Sequence, residues 1–103
     1  MNKISAVIIT KNEEQNIGRC LGSLQKIADE IIVVDSFSTD NTEKICRRYN
    51  TTFTRREFVD YSNQKNYGNE LAQHTYILSI DADEALSEEL IDTLITAKEN
   101  FDS

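Results

Sequence analysis

The sequence contains no proline and no tryptophan, and it has only three glycines in 103 residues. It therefore offers neither a flexible linker nor a glycine-rich phosphate-binding loop. Its apolar runs, such as Ile31–Val34, are far shorter than the roughly 20 residues that a membrane-spanning helix needs, and the first residues lack a signal-peptide core. We expect one small domain over residues 1–103, located in the cytoplasm.

Basic residues are also scarce, with 11 Lys and Arg against 18 Asp and Glu, for a net charge of -7. This balance argues against a nucleic-acid partner, and it implies that any phosphate ligand is bound together with a cation. Cys20 and Cys46 lack metal-ligand spacing and fall on predicted apolar helix faces, so we expect both thiols to be buried and reduced. His74 has no Cys or His near it in sequence and is not predicted to be a ligand.

Apolar runs of strand length alternate with amphipathic stretches. Ile4–Thr10 is a predicted buried strand, and Asn12 followed by Gln15 is a variant of the capping box that predicts a helix start there. That helix has one apolar stripe, formed by Ile17, Cys20, Leu21 and Leu24.

The same unit recurs three times. Glu30–Val34 is a second predicted strand, followed by a helix over residues 41–49 with Asp40 and Glu43 as its cap pair. A weaker strand at residues 51–54, a helix from about Ser62, a strand ending at Ile80 and a last helix capped by Ser87 complete the pattern. The alternation predicts an α/β fold, a mainly parallel Rossmann-like sheet with helices on both faces.

Three carboxylates follow the last strand within four residues, at Asp81, Asp83 and Glu84. If the chain stayed extended, Asp81 and Asp83 would share one face at roughly 7 Å between Cα atoms, a spacing that suits a metal clamp. The alternative is that these acids favour the positive end of the next helix. Ser87, Glu88 and Glu89 already serve that helix end, which leaves Asp81 unexplained and favours a functional site.

Parallel strands place Thr10, the loop after Asp35 and the acids after Ile80 at one edge of the sheet. In open α/β sheets, ligands bind beyond the carboxyl ends of the strands. We therefore expect these three loops to converge on one ligand.

Three segments, Ala6–Glu14, Ile32–Asp40 and Leu78–Glu84, resemble family 2 glycosyltransferases in order and separation. Asn63–Asn66 matches the same family at the start of the third helix, and bacterial enzymes that add glucose to the lipopolysaccharide core are especially similar. The resemblance implies an A-type glycosyltransferase fold that binds a nucleotide-diphosphate sugar, with UDP as the expected nucleotide. It also implies a saccharide or lipid-linked acceptor hydroxyl, a role in cell-envelope polysaccharide or lipopolysaccharide synthesis, and a place at the inner face of the membrane.

The resemblance also implies roles for the acids of the last loop. Asp81 and Asp83 correspond to the family's aspartate-x-aspartate signature, in which Asp83 helps to hold a divalent cation on the diphosphate and Asp81 lies nearer the ribose. Carboxylate and phosphate oxygens suit Mg²⁺ or Mn²⁺, so both residues are candidate metal ligands.

Four further residues are candidates for nucleotide binding by the same resemblance. Asp35 would accept a hydrogen bond from uracil, although it could instead satisfy local backbone amides. Thr10 and Glu13 would line the base and ribose. Alternatively, Thr10 is simply the end of a strand and Glu13 is a solvated acid in the first turn of a helix. Lys65 would contact the nucleotide as a point charge, with a solvated helix lysine as its alternative.

An inverting transferase needs a general base, and the sequence offers none. The acids after Asp83 fit the polar face or end of a helix; they are Glu88, Glu89, Asp92, Glu99 and Asp102. We expect the chain to be a donor-binding half that is inactive alone and able to self-associate over the surface left by the absent half. A non-catalytic nucleotide-binding module or partner subunit is the main alternative. A receiver-like domain would need an acidic pair after the first strand, where Thr10-Lys11-Asn12 stands.

Overall fold

The computed structural model describes residues 3–100 and contains four strands that alternate with four helices. The elements are β1 (Ile4–Thr10), α1 (Ile17–Leu24), β2 (Glu30–Asp35), α2 (Thr42–Cys46), β3 (Thr52–Arg55), α3 (Tyr61–Leu71), β4 (Tyr76–Ser79) and α4 (Glu88–Glu99). This strict alternation confirms the predicted α/β class.

All strand pairs in the sheet are parallel, in the order β3-β2-β1-β4. Thr10 pairs with Asp35, so β1 and β2 end at the same level. The last pair of β1 and β4 joins Val7 to Ser79, and the amide of Ile80 extends it by donating to the Val7 carbonyl at 3.4 Å. The residues after Ile80 therefore emerge beside the end of β1, as the sequence predicted.

Helices cover both faces of the sheet, but unequally. The larger buried cluster lies on the α1, α2 and α4 face, and its helical members are Ile17, Cys20, Leu21, Leu24, Cys46 and Ile91. The other face carries α3, which packs over Val7, Ile32 and Val34 through Tyr67 and Ala72. Gly68 permits this close packing, because a Cβ there would lie 2.4 Å from Val7 Cγ1.

The predicted caps of the first two helices are wrong, although α2 begins within one residue of its predicted start. Asn12 does not cap α1, because its side-chain oxygen accepts from the amide of Thr39 at 2.8 Å and its own φ is 53°. The helix begins only at Ile17, after a turn. Helix α2 is shorter than predicted, and Asp40 pairs there with the Thr42 amide at 2.9 Å rather than with Glu43.

The other two helix starts are close to the prediction. Asp60 caps α3 by accepting from the Asn63 amide at 2.7 Å, and Ser87 caps α4 by accepting from the Leu90 amide at 3.1 Å. Within residues 3–100, no helix is long and apolar enough to cross a bilayer.

Candidate functional site

The loops that follow β1, β2 and β4 border two adjoining clefts at the carboxyl edge of the sheet. The first, which we call the acidic cleft, has a volume of about 540 Å³ and is lined by Ile9, Glu13, Tyr61, Lys65, Ser79, Ile80, Asp81, Ala82 and Asp83. The second, the aromatic cleft, has a volume of about 440 Å³ and is lined by Ile9, Thr10, Lys11, Glu13, Ser36, Phe58 and Tyr61. Three residues are common to both clefts, so one elongated ligand can occupy the two together.

The acidic turn, residues 81–84, is closed by two hydrogen bonds between its ends. The Glu84 amide donates to the Asp81 carbonyl at 2.9 Å, and the Asp81 amide donates to Glu84 Oε1 at 3.2 Å. Ala82 is buried between two exposed aspartates. Glu84 therefore serves the turn itself, while Asp81 and Asp83 line the cleft.

Helix α1 fixes the backbone of this turn and of the segment after it. Arg19 Nη2 donates to the Asp83 carbonyl at 3.3 Å, and Cys20 Sγ lies 3.8 Å from the Asp81 carbonyl. Ser23 Oγ accepts from the Leu86 amide at 2.9 Å. These contacts hold main-chain atoms and leave the carboxylates of the turn available.

Both cysteines are buried and free, as predicted. Burial raises the pKa of Cys20 to about 12, and the negative charges of Glu84 and Asp83 add to that effect. Burial likewise raises the pKa of Cys46 to about 12. Both thiols are therefore protonated at neutral pH, and neither lines the acidic or the aromatic cleft.

Asp81 and Asp83 have the right chemistry for a hard cation. Neither carboxylate forms a hydrogen bond or ion pair with another residue in the described part of the chain. Over residues 3–100 there is also no group of three or more His, Cys, Asp or Glu side chains placed to hold a metal ion. Two free carboxylates therefore fit Mg²⁺ or Mn²⁺ only if phosphate and water oxygens complete the coordination.

Asp35 occupies a different environment from the acids of the turn. It is 1% exposed and lines neither cleft. Its carboxylate accepts from the Thr10 hydroxyl at 2.6 Å and from the hydroxyl and amide of Ser38 at 2.6 and 2.8 Å. These bonds use three of its roughly four acceptor positions. Its contact with a nucleotide base stays a prediction.

The remaining candidates lie where the clefts adjoin. Thr10 is buried and gives its hydroxyl to Asp35, yet it lines the aromatic cleft. Glu13 lines both clefts, and its Oε1 accepts from Asn16 Nδ2 at 3.3 Å. Lys65 is exposed on α3 and lines the acidic cleft. The structure thus brings Glu13 and Lys65 together with the acidic turn.

Four lining residues of the aromatic cleft were not singled out from the sequence: Lys11, Ser36, Phe58 and Tyr61. Lys11 Nζ donates to the carbonyls of Ser36 and Phe37 at 3.0 and 3.1 Å, so it braces the loop after β2. Phe58 and Tyr61 flank the cap of α3, and two aromatic residues so near a helix start at this sheet edge were the available signal.

Gln64 is fully buried and is bonded to Ser36, which lines the aromatic cleft. Its Nε2 donates to Ser36 Oγ at 3.0 Å and to the Arg56 carbonyl at 3.3 Å. Its Oε1 is buried without a hydrogen-bond partner among the described residues. A buried acceptor of this kind favours the approach of a donor from a ligand or water.

Comparisons with known proteins identify relatives of this chain. An uncharacterized glycosyltransferase of Rickettsia felis is 45% identical to this chain, and the match covers 99% of this chain and 37% of the relative. The lipopolysaccharide core biosynthesis glycosyltransferase LpsC of Rhizobium meliloti is 36% identical, and the match covers 95% of this chain and 39% of LpsC. The chain therefore spans little more than a third of the length of these relatives.

Solved structures share the fold. TarS of S. aureus (residues 1–349) superposes with a TM-score of 0.80 at 25% identity, over 95% of this chain and 32% of that one. The same TarS chain in complex with UDP has a TM-score of 0.72 at 28% identity, over 96% of this chain and 33% of TarS. A third structure is glucosyl-3-phosphoglycerate synthase of Mycobacterium tuberculosis in complex with Mn²⁺, UDP and glucosyl-3-phosphoglycerate. It has a TM-score of 0.70 at 24% identity, over 82% of this chain and 36% of the synthase.

These structures bear out the predicted A-type architecture. The family model for glycosyl transferase family 2 matches residues 5–102, nearly the whole sequence. The chain therefore belongs to glycosyl transferase family 2.

Proposed function

We propose that this chain forms the donor site of a glycosyltransferase and binds a nucleotide-diphosphate sugar, UDP-linked, together with Mg²⁺ or Mn²⁺. The observation that carries the proposal is the acidic cleft, where the uncommitted carboxylates of Asp81 and Asp83 lie beside Lys65 and Glu13. In an acidic chain such a cleft suits a diphosphate only when a cation offsets the repulsion.

Each residue has a separate task in this proposal. Asp83 and Asp81 hold the cation, and Asp81 also approaches the ribose. The cation, when bound, supplies Lewis-acid stabilisation of the departing diphosphate. Lys65, which lines the same cleft, adds a positive point charge. Thr10, Glu13 and the Asp35 carboxylate bind the nucleoside.

The proposal extends to the whole protein. It is an inverting, metal-dependent transferase that passes the sugar to a saccharide or lipid-linked acceptor in lipopolysaccharide or other cell-envelope polysaccharide synthesis, in the cytoplasm at the inner membrane face. The named activity of LpsC supports the pathway, and the UDP of TarS and the Mn²⁺ and UDP of the mycobacterial synthase support the ligands.

Residues 1–103 form the nucleotide-sugar-binding domain in this proposal, and they do not turn over alone. The acids of α4, such as Glu88, Glu89 and Asp92, are exposed on a helix, and none of them lines the acidic cleft. We therefore assign no general base among residues 3–100.

Calorimetric titration of UDP into the chain, with and without Mn²⁺, tests the donor site. We expect binding that depends on Mn²⁺ and an affinity at least tenfold lower in Asp83→Ala, because a ligand of the cation is lost. Asp92→Ala, which removes an exposed acid on α4 that lines neither cleft, is the matched control and should bind as the parent does. Equal binding with and without Mn²⁺, or an unaffected Asp83→Ala, would refute the proposal.

A further inference from the structure

The wall of the aromatic cleft contains an exposed pair of aromatic side chains that has no role in the proposed donor site. Tyr61 is 71% exposed and Phe58 is 43% exposed. Their ring centroids lie 5.1 Å apart at an interplanar angle of 76°, an edge-to-face contact that fixes the ring planes without covering them. We propose that Phe58 and Tyr61 form a platform on which the base of the bound nucleotide stacks, with Ser36 at the polar edge of that base. This inference rests on the proposed donor site.

The platform is held in place by the start of α3. Tyr61 is the first residue of the helix, and Asp60 caps that helix through the Asn63 amide at 2.7 Å. Tyr61 also lines both clefts. A ligand whose diphosphate occupies the acidic cleft therefore brings its nucleoside directly against Tyr61.

The charges around the aromatic cleft favour a neutral planar group over a second phosphate. Lys11 is the only cationic residue among those lining it, and its ammonium is bound to the carbonyls of Ser36 and Phe37. Glu13, which lines the same cleft, would repel an anion. A nucleobase presents an uncharged π-face, and stacking on aromatic side chains suits every base.

The floor of the cleft supplies an edge contact. Ser36 is 8% exposed, and its Oγ accepts from Gln64 Nε2 at 3.0 Å. Its hydroxyl hydrogen is not used by any other described residue, so it can donate to a carbonyl of the base. Gln64 Oε1 is the buried acceptor that has no partner among the described residues.

Paired titrations with UDP and with inorganic pyrophosphate, each with Mn²⁺, test the platform. We expect Tyr61→Ala to lower the affinity for UDP by about tenfold or more, because the base loses one stacking contact. The affinity for pyrophosphate should be unchanged, because pyrophosphate has no base. Tyr61→Phe should retain the affinity for UDP, because the ring remains. Val59→Ala changes a 70% exposed neighbour that lines neither cleft and is the control for general effects on the loop.

The results separate the platform from the donor site. If the parent chain binds UDP and Tyr61→Ala binds it equally well, the platform is wrong and the donor site stands. If Tyr61→Ala loses UDP and pyrophosphate alike, the ring serves the structure of the cleft and the platform is again wrong. If the parent binds neither ligand, the donor site itself fails, and the platform fails with it. A circular-dichroism melt of each variant checks that α3 remains folded.

Discussion

Asp35 and Asp83 look alike in the sequence and differ in the structure. Asp35 ends strand β2 and Asp83 lies in the turn after strand β4, and both strands end at the same edge of the sheet. Asp35 is 1% exposed and accepts three intramolecular hydrogen bonds, whereas Asp83 is exposed and its carboxylate accepts none from the described residues. The first carboxylate joins two loops, and the second is available to a ligand.

The difference arises from what holds each loop. The Asp35 loop, residues 35–41, is held by side chains: the Asp35 and Asp40 carboxylates, the Asn12 amide and the Lys11 ammonium each bind across it. The acidic turn is held through main-chain atoms, by α1 and by Glu84. A loop whose backbone is fixed from outside can leave its own carboxylates free for binding.

The largest expected effect is on stability, in Asp35→Ala. The substitution leaves the buried Thr10 hydroxyl and the Ser38 amide and hydroxyl without their acceptor, and we expect a loss of about 3 kcal/mol in the free energy of unfolding. Urea denaturation followed by circular dichroism measures it. Asp83→Ala, matched in chemistry, should change the same free energy by less than about 0.5 kcal/mol.

Equal destabilisation by the two substitutions would show that the contrast between the loops is false. A stable Asp35→Ala would have the further consequence that the Asp35 carboxylate is held in place for a ligand rather than for the fold. Comparing both variants in the same urea titration is therefore more informative than either alone.

Much of the architecture followed from the sequence, because strand and helix periodicity is local. The alternation, the parallel sheet, the Ser87 cap and the convergence of the strand ends needed only that periodicity and the rules for crossovers. The state of Asp35 did not follow, since its partner Thr10 lies 25 residues away. The predicted start of α1 was wrong for the same reason, because Asn12 Oδ1 accepts from the amide of Thr39, which lies 27 residues along the chain. The aromatic platform depends on exposure, which the identities of Phe58 and Tyr61 do not fix.

A smaller effect is expected from acid, through Asp40. Partial burial raises the pKa of this carboxyl, but hydrogen bonds from the Thr42 hydroxyl, the Thr42 amide and the Glu14 amide outweigh burial and lower it below the usual 3.8. The charged form is therefore favoured by folding, and its stabilisation is present above pH 3.8 and is lost as the pH falls through the lowered pKa.

Asp40→Ala should accordingly lower the free energy of unfolding by about 1 to 2 kcal/mol at pH 7, because the Thr42 hydroxyl and the Thr42 and Glu14 amides lose their acceptor. The gap between the parent and this variant should narrow as the pH falls below 3.8, measured by urea denaturation at several pH values. Asp92→Ala is the control, because Asp92 is exposed and its carboxylate accepts no hydrogen bond from another residue in the range 3–100. A gap that stayed constant with pH would remove Asp40 from the set of side chains that hold the loop.

The smallest expected effect concerns strain within the Asp35 loop, at Phe37. Its φ of 55° is unfavourable for a bulky residue, and its ring is 55% exposed, so little burial offsets the strain. Phe37→Gly should raise the free energy of unfolding by about 0.5 to 1 kcal/mol, because the relief of the left-handed backbone exceeds the entropy that glycine gains when unfolded. The bond from Lys11 survives, since it reaches the main-chain carbonyl. Asn12→Gly, at a φ of 53°, should do the opposite because it removes the acceptor of the Thr39 amide. If Phe37→Gly were destabilising instead, the ring would be part of what holds the Asp35 loop, and the loop would be fixed by packing as well as by hydrogen bonds.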